Sequence, residues 1–197
     1  MFTTNKISKI IINRINFFNL FFYKGIVKKN ITAKIKAYLN IKKNLIFIGR
    51  ARTGIYLLVK HYLKQNVSKV NNVLVIPYTV PDIIKLVIDA KGVPIYLDFE
   101  KKSTFISIKD LNYKVKKFKP KILILTHYHL LEKNFKKIYE ICRKNNIILL
   151  EDLAISYGTL KRRNFKSDGA IFSFSSFKLL NFYLGGAVTC KNNKVFS

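Results

Sequence analysis

The sequence predicts an α/β protein of three layers, in which a mainly parallel central sheet lies between two layers of helices. Short apolar segments recur along the chain, and helix-like segments separate them. The apolar segments do not alternate with polar residues, so both faces of each predicted strand are expected to be buried. Buried strands separated by helices are typical of parallel sheets.

The predicted elements follow one another from residue 55 to residue 189. Apolar residues at helical spacing predict helices, and Gly92 and Pro120 stand just beyond two of them as stop signals. These helices cover 55–65, 82–91, 109–118 and 135–144. The predicted strands are 73–76, 94–97, 122–125, 147–150, 170–172 and 187–189. Residues 1–45 form a separate basic N-terminal segment in this interpretation, and residues 46–197 form one domain.

The chain is strongly basic, with 37 Lys and Arg residues, 10 Asp and Glu residues and a net charge of +27. No acidic residue precedes Asp82, so residues 1–69 could bind nucleic acid or an anionic membrane surface. However, 31 of the basic residues are Lys, and Asn, Ile and Phe are also frequent, which is typical of AT-rich codon usage. Phosphate-binding proteins usually favour Arg, so no nucleic-acid partner is expected.

The cysteines and the apolar segments bound the class of protein. Cys142 and Cys190 stand far apart without metal-ligand spacing, as expected of a reduced cytoplasmic protein. Motifs for zinc or a dinucleotide are absent from the sequence, so no metal site is predicted. The apolar stretch 17–27 is shorter than the ~20 residues that span a membrane, and we expect a surface or partner-packing helix there.

Polar residues stand where predicted strands end and the first helix begins, which is the edge at which parallel sheets bind ligands. Arg52 and Thr53 at the start of the helix could bind an anion, or equally serve as a cap with surface arginines. Asp152 ends an apolar strand, where a buried carboxylate needs a cationic or hydrogen-bonding partner. The alternative for Asp152 is the cap of a turn or helix.

Two further segments could supply an amine and aromatic rings. Lys178 follows a strand within Ser-Phe-Ser-Ser-Phe-Lys, and its apolar neighbours would favour the neutral, nucleophilic amine. Taken singly, it could be one more surface lysine among 31. Ser173 could reach a phosphate. His127 and Tyr128 could contact a ring or substrate, or form a capped loop with one buried histidine.

Together these segments resemble the DegT/DnrJ/StrS family of pyridoxal-phosphate (PLP) dependent sugar aminotransferases of fold type I. The resemblance runs from about Phe47 to the end of the chain. Its most specific part is the pairing of Glu-Asp-x-Ala-x-x-x-Gly with a later Ser-Phe-x-x-x-Lys. The matching pieces include residues 49–54, 77–81, 92–98, 126–128, 151–158, 173–178 and 185–188.

The resemblance implies the roles of the cofactor-binding residues. Lys178 would hold the cofactor and act as the catalytic acid and base. Asp152 would pair with the pyridinium nitrogen, and Ala154 would pack against the ring. The residues that would hold the phosphate are Arg52, Thr53 and Ser173.

The sequence departs from the family pattern at three positions. Val80 stands where other branches place the aromatic residue that stacks on the ring, and Tyr78 or Tyr128 could substitute for it. Ile155 replaces a usually polar residue, and Leu184 replaces a frequent Glu.

The resemblance also implies a reaction: transfer of an amino group from a donor such as glutamate to a keto group of a nucleotide-linked sugar, for surface-polysaccharide or related sugar synthesis. Family members are nearly twice as long, so residues 46–197 would form part of the large PLP-binding domain, without the small C-terminal domain. The chain would act as a homodimer or with a complementing second chain. The alternatives are an inactive truncated homologue and a basic module that binds nucleic acid or a membrane surface.

Overall fold

The computed structural model describes residues 32–37, 41, 44–65, 70–128, 131–156, 166–175, 178 and 185–191. Its strands are β1 (Leu45–Ile48), β2 (Asn72–Val75), β3 (Val93–Tyr96), β4 (Ile122–Thr126), β5 (Ile148–Asp152), β6 (Gly169–Ser173) and β7 (Gly186–Cys190). Its helices are α1 (Ala51–Lys64), α2 (Pro81–Asp89), α3 (Ile108–Phe118) and α4 (Phe135–Lys144). Residues 32–37 are also helical.

The strands form a seven-stranded sheet in the order β1-β7-β6-β5-β4-β2-β3. The pairs among β2 to β6 are parallel, whereas β7 runs antiparallel to both of its neighbours, β6 and β1. The prediction of an α/β fold with a mainly parallel sheet is therefore confirmed. Strand β1 was not predicted, because it follows a Lys- and Asn-rich stretch and only Leu45 of its four residues is buried.

Helices cover both faces of the sheet, so each central strand is apolar on both sides. On one face, Leu58 of α1 and Val87 of α2 are fully buried in the same cluster as Val75 and Ile124. On the other face, α3 and α4 cover a second cluster. Its members include Leu74, Leu111, Leu123, Ile138 and Leu149.

Residues before β1 also contribute to the core. Ile35 and Ile41 are buried in a cluster with Phe172 of β6 and Ala187 of β7. The apolar stretch 17–27 lies outside the described residues. Among the helices that the structure describes, none is long and apolar enough to cross a membrane.

The parallel strands end at one edge of the sheet, and α1 begins at that edge. Gly186, the first residue of β7, makes this approach possible. A Cβ at Gly186 would lie 2.7 Å from the backbone nitrogen of Ala51 and 2.8 Å from the carbonyl oxygen of Phe172. Because both contacts are backbone atoms, only glycine allows the start of α1 to lie this close to the sheet.

We expect Gly186→Ala to lower the free energy of unfolding by about 1–3 kcal/mol, because the backbone of α1 must move to admit the methyl group. Urea unfolding measures this change. Gly49→Ala is the control, since a Cβ at Gly49 would meet no atom within 4 Å, and it should change stability by less than about 0.5 kcal/mol. Equal losses in the two variants would contradict this account.

Candidate functional site

The carboxyl ends of β4 and β5 bring a buried carboxylate and a hydroxyl together. Asp152 is the last residue of β5, and Thr126 is its partner in the β4 ladder. The Asp152 side chain is buried, and its Oδ1 accepts a hydrogen bond from the Ala154 backbone N–H at 3.0 Å. The Thr126 hydroxyl lies 3.4 Å from Asp152 Oδ2 and donates to it. These contacts fix the direction of the carboxyl group.

Burial dominates the electrostatics of Asp152 and raises the pKa of its carboxyl above the usual value. The Ala154 N–H and the Thr126 hydroxyl lower this pKa in part, and so does the positive charge of Lys178. Lys178, which is half-buried, follows β6, the parallel neighbour of β5, and so belongs to the same edge of the sheet as Asp152. A buried carboxyl of this kind favours a cationic group beside it.

A cavity of about 180 Å³ lies at the start of α1 on the same edge. The residues that line it are Arg50, Ala51, Arg52, Ser173, Ser175 and Gly185. The hydroxyls of Ser173 and Ser175 lie 3.4 Å apart. The positive end of the α1 dipole adds to two arginines here, so the cavity suits an anion with several oxygens, such as a phosphate.

The two predicted phosphate residues on α1 differ in their surroundings. Arg52 lines the cavity and also forms an ion pair with Asp82 at the start of α2. Thr53 is exposed, does not line the cavity, and donates its backbone N–H to the carbonyl of Arg50 at 3.1 Å.

Two lining residues, Arg50 and Gly185, were not predicted as site residues. They form an isolated bridge between the end of β1 and the start of β7. Gly185 has a φ of 114°, which favours glycine. Their meeting depends on the pairing of strands that are distant in sequence, so no local pattern could have revealed it.

An aromatic pair lies near the carboxyl. The ring centroids of Tyr78 and Tyr128 are 5.4 Å apart, and Tyr78 is 71% exposed. Burial raises the pKa of Tyr128 to about 12, helped by Tyr78 and the negative charge of Asp152. The Tyr128 hydroxyl is buried and has no hydrogen-bond partner among the described residues. Val80, just before α2, is also exposed.

His127 has different surroundings from those expected of a ring or substrate contact. Its side chain is buried, and its Nε2 lies 2.9 Å from Oε2 of Glu151. Its Nδ1 accepts the backbone N–H of Glu132 at 3.1 Å. Both ring nitrogens are therefore hydrogen-bonded to groups of the protein. Glu151 could not be recognised as its partner from sequence, because the two residues meet only through the pairing of β4 with β5.

The edge as a whole offers three kinds of chemistry in one place. The cavity can bind an anion, Asp152 can hold a cationic ring atom, and the amine of Lys178 can react with a carbonyl carbon. Ala154, also half-buried, lies two residues after Asp152 and is fixed by its hydrogen bond to that side chain.

The fold is similar to those of several solved aminotransferases and related enzymes. TlmJ, an aminotransferase from Streptoalloteichus hindustanus, gives a TM-score of 0.75 at 18% identity, over 87% of this chain and 47% of TlmJ. The PLP form of Spr1654 from Streptococcus pneumoniae, described as a sugar aminotransferase, gives 0.73 at 18% identity, over 88% and 47% of the two chains. A mutant of GDP-4-keto-6-deoxymannose-3-dehydratase (ColD) with bound GDP-perosamine gives 0.73 at 17% identity, over 87% and 46%.

This chain thus spans about half the length of the solved chains that it matches. At these identities the likeness concerns the fold. The sequence itself matches the model of the DegT/DnrJ/EryC1/StrS aminotransferase family over residues 19–196. The chain therefore belongs to the DegT/DnrJ/EryC1/StrS aminotransferase family.

Proposed function

We propose that this chain is the PLP-binding part of an aminotransferase that acts on a keto group of a nucleotide-linked sugar. The observation that carries the proposal is the buried, hydrogen-bonded carboxyl of Asp152 at the end of β5, with Lys178 shortly after the end of the neighbouring parallel strand β6. PLP requires two groups from a protein. Its pyridine nitrogen requires an acid, and its aldehyde requires an amine.

The donor set at this edge fits PLP. Asp152 would pair with the protonated pyridine nitrogen, and Ala154 would lie against the ring. Ser173 and Arg52 would hold the phosphate in the cavity at the start of α1, with Thr53 close by on the same helix. Tyr78 and Tyr128 would supply aromatic contact to the ring or the substrate. When bound, PLP supplies an electron sink for bond changes at the amino-bearing carbon.

The chain's own residues would then do two kinds of work. Lys178 would hold the cofactor, and its amine would remove and return the proton at the amino-bearing carbon as general base and acid. Asp152 would keep the proton on the pyridine nitrogen, because a buried carboxylate without a cation is costly.

The substrate class rests on family membership and on the solved neighbours. ColD was solved with a nucleotide-linked sugar, GDP-perosamine. We propose a similar acceptor here, an amino-acid donor such as glutamate, and a role in surface-polysaccharide or related sugar synthesis in the cytoplasm. Since the chain spans about half of its neighbours, we propose that it works as a homodimer or with a complementing second chain.

If Lys178 holds the cofactor, PLP added to the purified chain should give an absorbance band near the visible edge. Borohydride should then fix the label on Lys178, which mass spectrometry of the digested chain would locate. Lys178→Ala should abolish both signals, and Lys85→Ala, which removes an exposed lysine of α2, should leave them unchanged. A folded chain without the band would sink the proposal.

Asp152→Asn should have opposite effects on the stability of the PLP-free chain and on its affinity for PLP. Burial raises the pKa of Asp152 above its ordinary 3.8, so the folded chain holds this proton more tightly than the unfolded chain. The contribution of this carboxyl to stability is then fully present at acid pH and is lost as pH rises through the raised pKa. Asn stays neutral, so the PLP-free variant should be more stable than the parent at neutral pH, and this difference should shrink toward about pH 4.

In the same variant the dissociation constant of PLP should rise by about tenfold or more, because the variant loses a charge-assisted hydrogen bond to the ring. Urea unfolding at several pH values and absorbance titration measure the two effects. Asp89→Asn, at the exposed end of α2, is the control and should change neither. An Asp152→Asn variant that binds PLP as tightly as the parent would contradict the assignment.

A further inference from the structure

A buried hydrogen-bond network lies directly behind Asp152. The backbone N–H of Glu132 donates to His127 Nδ1 at 3.1 Å, so Nδ1 carries no hydrogen. The proton of the neutral ring is then on Nε2, which lies 2.9 Å from Glu151 Oε2 and donates to it. Two partners thus fix the tautomer and the orientation of the ring.

The network also reaches the neighbouring loops. The Glu132 carboxylate accepts the backbone N–H of Ile106 and that of Asn134, each at 3.0 Å. His127 is 1% exposed, Glu132 7% and Glu151 0%. Because these groups are cut off from water, no solvent molecule replaces a lost partner, and each lost bond is costly. The chain after β4 is therefore held to the start of α4 and to the loop before α3.

The same network is connected through the backbone to two residues of the candidate site, Asp152 and Tyr128. Glu151 directly precedes Asp152 on β5, so the two side chains point to opposite faces of the sheet. The backbone N–H of His127 donates to the carbonyl of Asp152 at 3.0 Å. Tyr128 follows His127 directly, and its ring lies against Tyr78.

We propose that His127 is a positioning residue that fixes Asp152 and Tyr128 from the opposite face of the sheet, through its hydrogen bonds with Glu151 and Glu132. The inference rests on the proposed function, since Asp152 and Tyr128 are its PLP-facing residues. His127 itself touches neither substrate nor cofactor in this account. Its imidazole is suited to the place because one ring supplies both an acceptor and a donor at fixed separation.

Two variants separate the hydrogen bonds from the packing of the ring. His127→Phe keeps a ring beside Phe135, whose centroid lies 6.3 Å away, but removes the donor to the buried Glu151. His127→Gln keeps an N–H that can reach Glu151 and loses the aromatic ring. The matched control is Asp168→Asn, which weakens a partly buried cluster with Arg143 and Lys191 elsewhere in the sheet.

The test uses two readouts on the purified chain: hydrogen exchange of backbone amides without PLP, and the dissociation constant of PLP by absorbance titration. In His127→Phe we expect faster exchange of the amides of residues 127 and 154, which bond to Asp152. We also expect about tenfold weaker PLP binding, the order seen when outer partners of binding groups are removed. His127→Gln should recover most of both effects. Asp168→Asn should lower stability and raise exchange near Leu149, with PLP binding unchanged.

The outcomes distinguish this inference from the proposed function. If the parent chain binds no PLP, the proposed function fails, and the exchange data alone still decide whether His127 anchors the end of β5. Parental exchange at residues 127 and 154 in His127→Phe would overturn the inference. So would equal loss of PLP affinity in His127→Phe and Asp168→Asn, because the effect would then follow general stability. If His127→Phe does not fold, ¹⁵N signals of the histidine rings in the parent decide: a proton on Nδ1 of His127 would overturn the inference.

Discussion

The burial of the Asp152 carboxyl at the end of β5 is the constraint on which the rest of the site depends. A carboxyl in this position loses most of its hydration, and the protein returns two hydrogen bonds and the favourable charge of Lys178. That compensation is incomplete, because the pKa of Asp152 stays raised. In the free chain the ionised form of this carboxyl is therefore disfavoured, and a bound cation would stabilise that form. Binding strength is in this way gained at the expense of stability.

The sheet makes this arrangement possible because consecutive residues at the end of β5 face opposite sides of the sheet. One can serve as structural support while the other faces a ligand. The side chains of Glu151 and Asp152 point to opposite faces. On one face, Glu151 is held within a protein network with His127. On the other face, Asp152 interacts electrostatically with Lys178 and Tyr128, and the ring of Tyr128 lies against Tyr78. A rigid, satisfied network on one side thus supports a carboxyl on the other side that is available to a ligand.

Local patterns in the sequence were sufficient for strands β2 to β7, for helices α1 to α4 and for the residues at the strand ends, but not for β1. The order of segments, more than any single residue, pointed to Lys178 and Asp152. Gly92 was predicted to end a helix, and α2 does end just before it. However, the left-handed position is Lys91, with φ 66°, and Gly92 instead allows close packing with Val87 and Val73. The pattern gave the right boundary for a partly different physical reason.

Contacts between distant segments could not be predicted in the same way. The bridge between Arg50 and Gly185 lies just beyond the paired strands β1 and β7, and neither strand has a long apolar pattern. The partner of His127 likewise depends on the β4–β5 register. The packing of Ile35 and Ile41 on the sheet was not predicted, because residues 1–45 were interpreted from their composition as a separate basic segment.

The most direct test of the central claim is the protonation state of the pyridine nitrogen of PLP bound to this chain, measured by NMR with ¹⁵N-labelled cofactor. We predict a nitrogen that stays protonated at neutral pH and above, because the buried carboxylate of Asp152 would stabilise its positive charge. A bound cofactor whose ring nitrogen is deprotonated at neutral pH, with the parent and Asp152→Asn chains giving the same signal, would contradict it.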